Sequence, residues 1–148
     1  MHSLTDFRAL CHRHRLAATH QRQVIYEAAT SMIGHPSPEA IYDKVRKKVP
    51  SISLATVYKN IRTFLDSGLL QEVSLHHGSL RVESNHAPHH HLVCVRCRSI
   101  MDFDEAGLGR LQLRKLPRGF QVKRIAVDIL GICRSCSSKG TRGGTRKA

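Results

Sequence analysis

Apolar residues recur at every third or fourth position near the start of the chain. Leu4, Phe7, Leu10 and Cys11 share one side while Arg8, His12 and Arg15 fall on the other, which predicts an amphipathic helix over 3–15 with Ser3 as N-cap. A second helix is expected after Thr19, burying Val24, Ile25, Ala28, Ala29 and Met32 and stopping near Gly34-His35-Pro36. Ser37-Pro38-Glu39 opens a third with a hydroxyl cap, a proline at the first helical position and an acid in the first turn; Ile41 and Val45 face inward and Val49-Pro50 ends it. From Ser53 to Ser67 the residues Leu54, Val57, Ile61, Phe64 and Leu65 form a stripe of helical period, closed by Gly68, with Thr56, Tyr58, Lys59, Arg62 and Thr63 on the outer side. Residues 69–75 and 80–83 then read as a short hairpin turning at His76-His77-Gly78-Ser79. Helices followed by a hairpin is the element order of a winged helix-turn-helix.

Beyond Glu83 the pattern changes. Strands are predicted at 89–95 and 99–103, a helix at about 105–116 capped by Asp104, and a strand at about 120–130 in which Ile125, Val127 and Ile129 alternate. The expected fold class is therefore α+β: a winged-helix DNA-binding domain over 1–83, a hinge at 84–88, a small α/β dimerisation and metal-binding domain over 89–136, and a basic, disordered tail over 137–148. The second domain offers strand edges and little core, so pairing into a homodimer is expected to cover it.

Charge adds a partner. With 24 Lys+Arg against 11 Asp+Glu in 148 residues the net charge is +13, which favours a polyanion. The excess is spread along the chain, 11 basic against 7 acidic residues up to Glu83, 9 against 4 over 84–136 and 4 against none over 137–148, so charge alone does not locate the contact. The outer face of the fourth helix does. Tyr58, Lys59, Arg62 and Thr63 present groups that hydrogen-bond phosphates or base edges, and Arg13 and Arg15 are candidates for a phosphate or a narrow minor groove. No apolar run approaches the roughly 18 residues that span a bilayer and the start lacks a signal-peptide stretch, so no membrane partner and a cytoplasmic location are expected. In that reducing setting the five cysteines are better metal ligands than disulfides.

Cys94-Val95-Arg96-Cys97 and Cys133-Arg134-Ser135-Cys136 are two C-x-x-C pairs separated by 35 residues, a spacing that aims four thiolates at one zinc ion and leaves it no open position. The zinc would be structural. Cys11 is left as a small buried apolar residue. A second constellation gathers His86, His89, His90 and His91 beside Glu83, with Asp102 a strand away; on a strand His89 and His91 share a face while His90 points elsewhere. Imidazoles mixed with carboxylates suit Fe(II), Mn(II), Zn or Ni, although on spacing alone the histidines read equally as a solvated linker. Three function classes stay open at this level: a metal-dependent repressor, a zinc-stapled nucleic-acid module without regulatory metal, and a non-haem iron enzyme, the last disfavoured by the absence of an apolar substrate-pocket signature.

Taken together, T-H-Q-R at 19–22, H-P-S-P-E-A-I-Y at 35–42, S-L-A-T-V-Y-K-N-I-R at 53–62, H-H-L-V-C-V-R-C at 90–97 and C-R-S-C at 133–136 resemble the ferric uptake regulator superfamily, and within it the peroxide-responsive branch, over residues 3–136. The resemblance implies a homodimeric repressor on a palindromic double-stranded operator, with structural Zn(2+) on Cys94, Cys97, Cys133 and Cys136 and regulatory Fe(2+) or Mn(2+) on His35, Glu83, His89, His91 and Asp102. It also carries a DNA-contact role to Tyr58 and Arg62. Asp at position 102 is similar to the peroxide sensors, whereas iron-responsive members tend to have Glu there; Glu83 and His20 depart from the branch, which usually has Asp and Pro. In the sensing branch peroxide reacting with bound Fe(II) adds an oxygen to a ligand histidine, here His35 or His89, whereas Mn(II) supports DNA binding and resists that chemistry. Relatives that report iron, zinc or nickel sufficiency are the alternative. The additional metal site of many iron-responsive members would need ligands where this chain has Pro88, Gly109 and Ile125, so that site is not expected.

Overall fold

In the computed structural model, which describes residues 4–73, 79–109 and 111–140, the chain divides into two compact units, Met1–His86 and Ala87–Ala148.

The first unit contains α1 (Leu4–Arg13), α2 (His20–Thr30), α3 (Pro38–Val45), α4 (Leu54–Asp66), β1 (Gln71–Val73) and β2 (Arg81–Glu83). Three helices start on side-chain caps, the oxygens of Thr19, Ser37 and Ser53 accepting from the N–H groups of Arg22, Ala40 and Thr56. These set the entry of each helix and so the face it buries. Phe7, Cys11, Ile25, Ile41, Val45, Val57, Ile61, Phe64, Leu70 and Val82 form one core. Each large aliphatic or aromatic member contributes about 1.5–3 kcal/mol by leaving water. The Tyr26 ring sits 5.5 Å from Phe7 and 6.0 Å, edge-on, from Phe64, joining α1, α2 and α4. Antiparallel pairing of Gln71 with Glu83 and Val73 with Arg81 makes the wing. Its predicted turn at His76-His77-Gly78-Ser79 lies largely outside the described residues.

Several ends differ from the pattern-based expectation. α1 stops at Arg13 because Arg15 takes a left-handed φ of 55° and the Leu16 N–H closes on the Cys11 carbonyl. α2 stops at Thr30, and Met32 packs on the core from the loop that follows. α3 gives way after Val45 to a turn in which the N–H groups of Lys48 and Val49 both reach the Val45 carbonyl. Leu54, placed in the α4 stripe by period, is exposed because it is the first helical residue, ahead of the turn that meets the core.

Replacing Ser53 by Ala is expected to cost about 1 kcal/mol in urea denaturation, since the Thr56 N–H, 3.1 Å from its Oγ, loses its acceptor. Ser53→Asp should recover most of that loss.

The second unit is a three-stranded sheet in the order β4-β3-β5, with β3 (His89–Cys94) antiparallel to β4 (Ile100–Asp104) and parallel to β5 (Asp128–Gly131), followed by α5 (Arg134–Gly140). His91 is the register partner of both Asp102 and Asp128. The helix expected over 105–116 is only a 3-10 turn at Glu105–Gly107, and no helix follows it among the described residues to 133. Gly107 and Gly109 each weaken a helix by about 1 kcal/mol, and Gly109 sits at φ 72°. Leu111, Leu113 and Leu116 are exposed, so the apolar face that would repay ordering has nothing to pack on within this unit. The strand expected over 120–130 shortens to Asp128–Gly131, the stretch that reaches β3, and Ile125 and Leu130 are exposed. α5 runs into the stretch read from sequence as tail, and residues 141–148 lie outside the described residues.

Candidate metal centres and nucleic-acid interface

The cysteine knuckles are built by backbone turns at the two ends of the second unit. After β3 the Arg98 N–H donates to the Cys94 carbonyl, with Arg98 at a left-handed φ of 61°; before and into α5 the N–H groups of Cys136 and Ser137 donate to the Cys133 carbonyl. A bond from the Val95 N–H to the Gly131 carbonyl and one from Arg96 to the Cys136 carbonyl hold the turns side by side. One sulfur from each of Cys94, Cys97, Cys133 and Cys136 lies within 4.8 Å of the others. The Cys133 N–H, pointing at Cys94 Sγ from 3.3 Å, is the main reason the Cys94 thiol is lowered to about 6. Hydrogen bonding to Ser99 lowers Cys97. The Cys136 thiol is instead pushed up to about 12, chiefly by hydrogen bonding with Cys97 and then with Cys133. The donor set of four convergent thiols fits a closed, structural zinc ion. Cys11, by contrast, is enclosed in the core of the first unit, where burial raises its thiol pKa.

Each unit carries histidine beside a carboxylate. In the first, His35 follows Gly34 on the loop before α3 at φ 56°, a conformation uncommon outside glycine but several-fold enriched in histidine. The Val82 N–H donates to the Pro36 carbonyl and Arg81 to the His35 carbonyl, which pins the loop against β2. His35 Nδ1 thereby lies 3.5 Å from Glu83 Oε2. In the second, His89 and His91 project from one face of β3, as strand alternation requires, with their Nε2 atoms 3.1 Å apart. Asp102 Oδ1 on β4 is 3.8 Å from His89 Nε2 and 4.0 Å from His91 Nε2. His89 Nδ1 donates to the Ala87 carbonyl at 2.8 Å, an atom that can only accept, so in the neutral ring Nε2 carries the lone pair. Two buried imidazole nitrogens at that separation, beside a carboxylate, fit a divalent cation. His90 faces the other way, its Nδ1 accepting from the Val127 N–H, and His86 is exposed with Nδ1 2.6 Å from Gln71 Nε2.

On α4 the residues Tyr58, Lys59 and Arg62 are exposed and Thr63 is half-buried, with its hydroxyl donated to the Lys59 carbonyl. That leaves Thr63 less to offer a nucleic acid than its position suggested. Tyr58 donates its hydroxyl to Glu39 of α3, and this bond raises the phenol pKa and lowers that of the carboxyl. Arg13 and Arg15 are exposed at the end of α1. Arg22 is committed to structure, its guanidinium bonding the Ala17 carbonyl and Asn60 of α4. Residue pattern did not single out two contributors: Glu39, read only as a first-turn acid, and Asp128, whose signal was an acid set among apolar strand residues.

The sequence profile of the ferric uptake regulator family matches residues 13–130. The peroxide operon regulator of Bacillus subtilis (strain 168) is 37% identical over 122 residues, covering 82% of this chain and 84% of the relative. This chain belongs to the ferric uptake regulator family. The peroxide-responsive repressor PerR of Staphylococcus epidermidis is 33% identical over 140 residues, 94% of this chain and 93% of its own. Among solved structures, the ferric uptake regulator of Pseudomonas aeruginosa with manganese superposes with a TM-score of 0.69 at 22% identity, covering 86% of this chain and 97% of that one, and so supports the fold. In this ferric uptake regulator family member the four-cysteine cluster and the β3 histidine pair lie on one small sheet unit. No helix among the described residues is long and apolar enough to cross a membrane.

Proposed function

We propose that this protein is a cytoplasmic, metal-dependent transcriptional repressor that senses peroxide. Its Fe(II) or Mn(II) would be held jointly by His35 and Glu83 of the first unit and His89, His91 and Asp102 of the second. The observation that carries the reading is the pair of Nε2 atoms on β3 at 3.1 Å, one of them fixed as a lone pair by the Ala87 carbonyl. Without a cation that spacing offers only a ring-to-ring hydrogen bond, whereas a cation takes both nitrogens as ligands. The winged unit supplies the operator contact through Tyr58, Lys59 and Arg62 of α4, with Thr63, Arg13 and Arg15 as further contacts. The sheet unit buries few apolar side chains and exposes Leu111, Leu113, Phe120 and Leu130, which a second copy would cover, and a homodimer matches a palindromic site by symmetry.

Ligands drawn from both sides of residues 84–88 make the hinge the coupled element. Metal favours DNA binding only to the extent that it binds the closed arrangement better than the open one. Fe(II) held there would catalyse transfer of one oxygen atom from hydrogen peroxide to the ring of His35 or His89, the peroxide breaking its O–O bond and leaving as water while the imidazole is the group oxidised. The oxidised ring would ligate less well and the closed arrangement would lose its clamp. The relatives at 33–37% identity named for peroxide support this choice over metal sufficiency, as does Asp rather than Glu at position 102.

The test loads the zinc-replete protein with Fe(II) or Mn(II), adds stoichiometric peroxide, and follows operator binding and peptide mass. With iron only, the peptide carrying His35 or His89 is expected to gain one oxygen as operator binding is lost. Retained binding with unchanged mass would make the protein a metal-sufficiency regulator instead.

A further inference from the structure

Asp128 stands outside the ligand set, yet it is the second carboxylate in register with His91. β5 runs parallel to β3 with Asp128 opposite His91, while Asp102 stands opposite the same residue on β4, so both acids share a sheet face with the imidazole. The ring separates them. His91 Nε2 is turned towards Asp102 Oδ1 and His89 Nε2, whereas Nδ1 faces Asp128 Oδ1 at 3.6 Å. The side chains of His91 and Asp128 are 1% and 9% exposed, and Asp128 Oδ1 has no hydrogen-bond partner among the described residues. A buried carboxylate oxygen in that position draws a proton on the group facing it.

The neutral ring of His91 has one proton to place. On Nε2 it would bridge to His89 Nε2 at 3.1 Å and occupy both nitrogens that a cation needs. On Nδ1 it faces Asp128, and Nε2 becomes a lone pair beside that of His89. The backbone carbonyl of Ala87 settles the same choice for His89.

We propose that Asp128 is a positioning residue that holds the proton of His91 on Nδ1 and so keeps the β3 histidine pair open to metal. The proposal rests on His91 being a ligand of the regulatory ion, and the experiment separates the two. In the zinc-replete protein without regulatory metal, the nitrogen chemical shifts and couplings of the His91 ring report the tautomer directly. Wild type is expected to show the proton on Nδ1, and Asp128→Ala is expected to move a large fraction to Nε2. Asp128→Asn, which keeps an acceptor oxygen, should lie between them. Mn(II) affinity, read by equilibrium titration, should fall roughly 10–100-fold in Asp128→Ala and less in Asp128→Asn, with zinc content unchanged.

His91→Ala is the reference. If it leaves Mn(II) affinity intact, the ligand reading itself fails. If His91→Ala weakens Mn(II) binding but Asp128→Ala changes neither tautomer nor affinity, the positioning role is overturned. A wild-type ring protonated on Nε2 overturns it as well, whether or not the Asp128 variants fold.

Discussion

Cys97→Ser is expected to release the zinc ion and unfold the second unit at room temperature while the first keeps its fold. The sulfur of Cys97 is 3.7 Å from that of Cys133, and this pair bridges the turn after β3 to the turn that begins α5. Outside the sulfur cluster the unit has little to hold it: Val93 and Ile100 are its buried apolar residues among those described. Metal binding to a four-thiolate site contributes about 10–16 kcal/mol in small zinc-dependent domains near neutral pH, more than the whole stability of most domains. Losing one ligand removes a large part of that. The core of the first unit, by contrast, is assembled from its own helices and wing and contains no zinc ligand. Zinc analysis together with amide hydrogen exchange checks the claim. Zinc content should fall from one per chain towards none and protection in β3, β4 and β5 should vanish, while α2 and α4 stay protected. Cys11→Ala serves as the control, since that thiol lies in the other core and its loss should leave zinc in place. A Cys97→Ser protein that still carries one zinc and protects its sheet would rule out the four-thiolate cage.

His89→Ala should abolish the stimulation of operator binding by Mn(II) while leaving zinc content unchanged. Its Nε2 faces both His91 and Asp102, so its removal takes away one ligand and exposes the others to water. Losing an outer-shell partner commonly costs 10–100-fold in metal affinity, and loss of a ligand should exceed about 100-fold. The comparison variant is His86→Ala. That histidine belongs to the same cluster in the sequence but is exposed beside Gln71, and its replacement should leave the metal response intact. The outcome also separates the classes of function. A zinc-stapled DNA-binding module would bind the operator equally well with or without His89, whereas an iron enzyme would lose turnover without a change in DNA affinity. Equal Mn(II) stimulation in His89→Ala and wild type would remove the β3 histidines from the switch.

Local chemistry made much of this legible beforehand. Caps at Thr19, Ser37 and Ser53 announce helix starts because a side-chain oxygen satisfies an N–H within three residues, with no need of the rest of the chain. The α4 stripe was equally visible, since Val57, Ile61 and Phe64 recur at the helical period and all three are buried. Two C-x-x-C pairs state their own ligand geometry. Strand alternation, too, was enough to put His89 and His91 on one face and His90 on the other.

What local pattern left undetermined depends on partners far away in sequence. The period over 105–116 suited a helix, but a periodic face forms a helix only when something covers it, and within this unit Leu111, Leu113 and Leu116 stay exposed. Asp128 looked like a polar break in an apolar strand. Only the parallel pairing of β5 with β3 turned it towards His91 Nδ1, and only the hydrogen bond to Glu39 showed that Tyr58 of α4 is steadied from α3. The sequence by itself therefore determined where the capped helices of the first unit start and which side chains are of a type able to bind metal, because capping and ligand type act over a few residues. Tertiary structure decided whether a periodic stretch finds a surface to cover it and which groups face each nitrogen of His89 and His91, because both depend on what a strand distant in sequence brings within a few ångströms.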